Sequence, residues 1–218
     1  MHSGTFQLPV FFDLAATFAF ALTGALAAIR RGYDIVGVFF LALVSSIGGG
    51  LIRDGVFIPG GGATPLLTDP RYIELIIVAT IVGALFGGHV KKFHRLIAVI
   101  DALGLGAYAA FGTQKALVSG LAVPAAVLVG VINAAGGGLL RDIITRQEPL
   151  VFKPGQFYVL TALAGAVVFV FLTVTLEFEA TLAALAAIIA TFVFRVLTIV
   201  FNWRTTPLGE AGEGDVKP

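Results

Sequence analysis

The chain has 218 residues, 58% of them hydrophobic and only 12% charged, with a mean hydropathy of +0.98. A soluble domain carries roughly 25% charged residues, so this composition marks an integral membrane protein. The formal charge of +1 and the lack of any Lys/Arg run interleaved with aromatics exclude a nucleic-acid partner, and the absence of cysteine excludes a disulfide framework, a Cys metal site and a Cys nucleophile.

The first nine residues hold no Lys or Arg, unlike the basic start of a cleaved signal peptide, so the first apolar stretch is expected to remain in the mature protein. Stretches of about 20 apolar residues predict seven transmembrane helices at 10–29, 35–57, 72–89, 97–114, 122–145, 157–176 and 180–202. The glycines at 60–62 and Pro65, Pro70, Pro149 and Pro154 punctuate the connections after the second and fifth spans. The polar tail at 204–218 reads as disordered beyond a single transmembrane domain over 1–203. With seven spans the connections alternate sides. Arg53, Arg71 and Lys115 then fall on one side and the other eleven of the fourteen Lys and Arg on the opposite one. The positive-inside rule puts the N-terminus outside and the C-terminus in the cytoplasm of an inner-membrane protein.

One motif occurs twice, as Gly48-Gly49-Gly50-Leu51-Ile52-Arg53-Asp54 and Gly136-Gly137-Gly138-Leu139-Leu140-Arg141-Asp142. Glycine in a helix interior costs about 1 kcal/mol relative to alanine, so three in a row cost roughly 3 kcal/mol and predict a break in spans two and five. Residues 13–54 map onto 101–142 at a constant offset of 88, which pairs Asp13 with Asp101, Gly24 with Gly112 and Gly32 with Gly120. Pro65 and Pro149, then Pro70 and Pro154, continue the match 84 apart. Each copy holds three spans, so the second enters the membrane from the opposite side. The predicted fold is all-α, with two inverted three-helix repeats (10–89 and 97–176) and an extra helix at 180–202. Interrupted helices at matching positions of inverted repeats point to a transport pathway.

An ionised side chain in the apolar zone costs at least about 2.5 kcal/mol, so such residues are expected to pair and to face a cavity. Depth along the spans predicts two clusters, Asp13/Arg53/Asp54 and Asp101/Arg141/Asp142. Ser45, Ser46 and Asn133 precede the glycines and, with carbonyls freed by the breaks, suit a partly dehydrated monovalent cation. Plainer readings stand beside these. Arg53 and Arg141 snorkel to headgroups, the glycines serve close helix packing, and Lys115 is an interfacial lysine rather than a charge that repels cations or senses voltage. Lys91, Lys92 and Arg95 form a basic cluster suited to anionic membrane lipid, although positive-inside topology alone accounts for it. His2, His89 and His94 have no ligand spacing.

The doubled Gly-Gly-Gly-x-x-Arg-Asp motif, the aspartates that open spans one and four, and the seventh span after the repeats resemble the prokaryotic branch of the trimeric intracellular cation (TRIC) channel family, whose bacterial domains are also labelled glycine transporters. The resemblance runs from about residue 10 to 202. It implies a homotrimer with a pore in each protomer, lined by helices two and five kinked at Gly48, Gly49, Gly50, Gly136, Gly137 and Gly138, and permeable to K+ and Na+ over anions. The Lys-Glu-Val signature of animal members is replaced by Arg141-Asp142-Ile143. The leading expectation is a K+-conducting cation channel without cofactor beyond its permeant ion. The rival is a secondary transporter of glycine or another small neutral amino acid. No nucleophile–base or metal-ligand constellation supports an enzyme.

Overall fold

A computed structural model describes residues 7–58, 64, 68–87, 94–153 and 157–203, the side chains of 94–96 excepted. Lys91, Lys92, the Arg95 side chain, His2, His89, Pro65, Pro154, the glycines at 60–62 and the 204–218 tail lie outside the described residues. The described part is all helical. Its helices are α1 (Phe11–Arg30), α2 (Ile35–Ile52), α3 (Arg71–Phe86), α4 (His94–Val118), α5 (Val123–Ile144), α6 (Tyr158–Val170) and α7 (Ala180–Val200), with π-helical turns at Arg53–Phe57 and Phe171–Thr175 extending α2 and α6. Six of these segments are long and apolar enough to cross a membrane. The exception is α3, whose 16 residues rise about 24 Å. Apolar side chains such as Phe40, Leu85, Ile189 and Val200 stay exposed on the outer faces, where a bilayer would cover them.

The expected breaks at the triple glycines are not there. Helix α2 is α-helical through Gly48, Gly49 and Gly50, and α5 is α-helical through Gly136, Gly137 and Gly138. The departure from α geometry comes after the glycines, beginning at Arg53 of the first motif, where Ile58 N–H donates to the Arg53 carbonyl at 3.0 Å to close a π turn. The energetics explain the correction. Opening the helix would strand backbone groups in an apolar medium at several kcal/mol each, more than the roughly 3 kcal/mol of propensity that the glycines forfeit.

The glycines instead let α2 and α5 touch. A methyl group on Gly49 would overlap the backbone carbonyl of Asn133, and one on Gly137 would overlap that of Ser45. Ser45 and Asn133 are themselves 88 apart, so the two contacts are reciprocal. Matching contacts recur elsewhere. Gly24 packs on Ser45 and Gly112 on Asn133. Phe20 stacks on Tyr108, its partner at the 88-residue offset, with ring centroids 5.2 Å apart. Phe12 and Phe111 share a core cluster, and Gly104 meets Ala19 and Phe20, so α1 and α4 run antiparallel.

Local capping repeats as well. Helices α1 and α4 both end on a left-handed glycine, Gly32 at φ 75° and Gly120 at φ 87°. The following amides close matching caps, Tyr33 N–H to Ala28 O at 3.2 Å and Leu121 N–H to Ala116 O at 3.1 Å. Asp34 caps α2 through the Gly37 amide at 2.8 Å. Outside the spans, the Arg71 guanidinium forks onto Asp69 and holds its carboxyl below the usual range.

Candidate functional site

Two buried charge clusters flank the glycine crossing of α2 and α5. In the first, Arg53 at the end of α2 is only 2% exposed. Its Nε and Nη2 donate to the two carboxylate oxygens of Asp54 at 2.6 and 2.8 Å, the bidentate geometry that makes Arg–carboxylate pairs strong. Its Nη1 donates across the crossing to Asn133 Oδ1 at 3.2 Å, and its guanidinium lies 5.4 Å from the Phe111 ring centroid. From the end of α4, Lys115 Nζ reaches Asp54 Oδ2 at 2.9 Å while its side chain stays 30% exposed.

The expected Asp13–Arg53 ion pair does not form. Asp13, buried in the first turn of α1, accepts a hydrogen bond from the Tyr72 hydroxyl of α3 instead. The Tyr108 hydroxyl of α4 donates to the Ser46 carbonyl at 2.5 Å and meets Thr17 Oγ1 at 2.9 Å. Asp13, Thr17, Arg53, Asp54, Tyr72 and Tyr108 line a cavity of about 30 Å³, room for one or two waters.

The second cluster is the counterpart of the first. Arg141, near the end of α5, pairs through Nη1 with Asp101 Oδ1 at 3.2 Å and through Nε with Asp142 Oδ1 at 3.0 Å. Its Nη1 also donates to Thr23 Oγ1 of α1 at 3.2 Å. Thr23 and Phe111 are again 88 apart, so each arginine rests on the corresponding position of the opposite sequence copy. Asp142 Oδ2 accepts from the Leu150 amide at 3.2 Å and so ties down the loop after α5. Neither arginine snorkels, since both side chains are buried among protein groups.

Between the clusters, Ser45, Ser46 and Asn133 are fully buried at the crossing. The serine hydroxyls donate to the Leu41 and Ala42 carbonyls at 2.6 and 2.8 Å, and Asn133 Nδ2 donates to the Tyr108 carbonyl at 2.8 Å while its Oδ1 accepts from Arg53. The oxygens expected to coordinate a cation are therefore engaged within the protein in this conformer, and the continuous helices free no carbonyls. Sequence reasoning missed Thr17, Thr23, Tyr72, Tyr108, Phe111, Tyr158 and Arg195. Thr23 and Phe111 were detectable as an 88-residue pair. Arg195 was detectable as a charge several residues inside the last span. The tyrosines gave no pattern.

The chain matches the glycine transporter family over residues 10–89 and 98–174, two stretches that each hold one copy of the motif. A UPF0126 membrane protein of Deinococcus radiodurans is 34% identical over 157 residues, covering 71% of each chain. The UPF0126 inner membrane protein YadS of Escherichia coli K12 is 26% identical and covers 94% of this chain and 100% of its own. Among solved structures, the TRIC trimeric intracellular cation channel orthologue of Rhodobacter sphaeroides superposes with a TM-score of 0.82 at 31% identity, over 88% of this chain and 97% of that one. The chain belongs to the TRIC family. A further structure, concerned with conductance through TRIC cation channels, has a TM-score of 0.80 at 29% identity and covers 93% of this chain. Within this TRIC chain, the Arg53 and Arg141 clusters and the glycine crossing between them form the candidate site.

Proposed function

We propose that the protein is a channel for monovalent cations, K+ and Na+ over anions, with a pathway inside each protomer along the α2–α5 crossing. The observation that carries this reading is the likeness to solved TRIC cation channels over nearly the whole chain. The charge arrangement supports it, since the buried carboxylates Asp13, Asp101 and Asp142 and the half-buried Asp54 stand in two groups on either side of the crossing. In this reading the protein is a homotrimer of inverted repeats, with α3 as a short third span, the N-terminus outside, and the Arg53 cluster at the outer mouth. The Arg141 cluster lies at the cytoplasmic mouth. The small cavity and the engaged Ser45, Ser46 and Asn133 belong to a closed conformer. Opening separates α2 and α5 at their glycine crossing and releases Arg53 from Asn133, so that oxygens now bonded within the protein meet a permeant ion.

The family's glycine transporter description favours a carrier as the second reading. Proteoliposomes separate the two. A channel passes K+ down its gradient at a rate that glycine leaves unchanged, whereas saturable glycine uptake without K+ flux would establish the carrier.

A further inference from the structure

We infer that Arg195, on the seventh helix, is the counter-charge that neutralises the Arg141 cluster and thereby sets how many cations gather at the mouth beside it. The inference rests on the channel reading. Each copy of the repeat brings together two aspartates and one arginine, Asp13/Arg53/Asp54 and Asp101/Arg141/Asp142, and so carries one net negative charge. At the first cluster Lys115 supplies the missing positive charge through its 2.9 Å contact with Asp54. The second cluster has no such residue from the matching helix, because the position 88 before Lys115 is Ala27.

Arg195 fills that role from outside the repeats. Its side chain is only 5% exposed, and its guanidinium carbon lies 5.3 Å from the Tyr158 ring centroid. The Tyr158 hydroxyl oxygen stands 3.1 Å from where a methyl group on Gly138 would sit, and Arg141 Nη2 stands 3.7 Å from the same point. Tyr158 thus stands between the two arginines, its ring against Arg195 and its hydroxyl toward Gly138 and Arg141. Arginine stays protonated in proteins, so this positive charge is permanent. Lys115, partly exposed on a flexible stem, can leave its carboxylate, whereas Arg195 is fixed. One mouth therefore has a movable counter-charge and the other a permanent one.

The test is single-channel recording of the wild type, Arg195→Gln and Arg195→Lys, inserted with the C-terminal tail on a known side, in symmetric KCl. Removing the charge leaves one negative charge unneutralised beside that mouth. At a distance near 10 Å in water this enriches cations about twofold. In Arg195→Gln, current entering from the Arg195 side should rise about twofold relative to current in the other direction at low ionic strength, about 0.01 M. The effect should vanish near 1 M, where the screening length falls to about 3 Å. Arg195→Lys should keep the wild-type ratio. The double variant Arg195→Gln/Asp101→Asn, which restores neutrality and guards against a folding defect of the single one, should return toward it. A ratio unchanged in Arg195→Gln, or changed equally at both salt concentrations, overturns the inference and leaves Arg195 a packing residue. A silent wild type would overturn the channel reading itself.

Discussion

Within one glycine motif, three alanine substitutions should give different results. At Gly49 the added methyl group meets the backbone carbonyl of Asn133, which cannot move without shifting α5. Overpacking costs about 1–3 kcal/mol, and a contact against rigid backbone belongs at the upper end. Alanine returns about 1 kcal/mol of helix propensity, which leaves Gly49→Ala destabilised by about 1–2 kcal/mol. At Gly48 the methyl clashes only with the end of the Leu140 side chain, which can rotate away, and the two terms roughly cancel. At Gly50 the nearest atom is Arg53 Nη2 at 3.7 Å, an ordinary contact, so Gly50→Ala keeps most of the propensity gain. For a chain of this size 1 kcal/mol corresponds to about 2–4 °C in Tm. Thermal melts in detergent, followed by the fraction remaining monodisperse, should place Gly49→Ala about 2–8 °C below wild type and Gly50→Ala up to about 4 °C above it. Equal destabilisation by Gly49→Ala and Gly50→Ala would refute the packing account of the motif.

Tyr72→Phe leaves the buried Asp13 carboxylate without its hydroxyl donor and should cost about 1–3 kcal/mol, read as a lower Tm. Asp54→Asn leaves Arg53 and Lys115 without their shared carboxylate. It should cost about 3–5 kcal/mol, and failure to lower stability would mean that Arg53 is compensated elsewhere. A double-mutant cycle of Arg141→Gln with Asp101→Asn should show coupling of about 0.5–3 kcal/mol, whereas the cycle of Arg53→Gln with Asp13→Asn should show less, because only the first pair is in contact.

The boundaries of the spans were readable from the sequence because hydropathy and helix length express one constraint, the apolar thickness of the membrane. The second span, expected at 35–57, is the segment Ile35–Phe57. The fourth, expected at 97–114, is longer, running His94–Val118. The grouping of Asp101, Arg141 and Asp142 was readable as well, from motif spacing combined with depth. The partners were not. Depth alone could not tell that Tyr72 from α3 would take Asp13, or that Arg53 would reach across to Asn133, because those contacts depend on how the helices cross. The triple glycines were misread as breaks because intrinsic propensity was weighed without the larger cost of stranding backbone groups in lipid. The same small residues that weaken an isolated helix allow two helices to meet backbone to backbone.

The most direct test of the channel account is recording from the purified protein in a planar bilayer with unequal KCl on the two sides. The account predicts discrete unitary currents that reverse near the K+ equilibrium potential. A silent bilayer, or currents reversing near the Cl− potential, would contradict it.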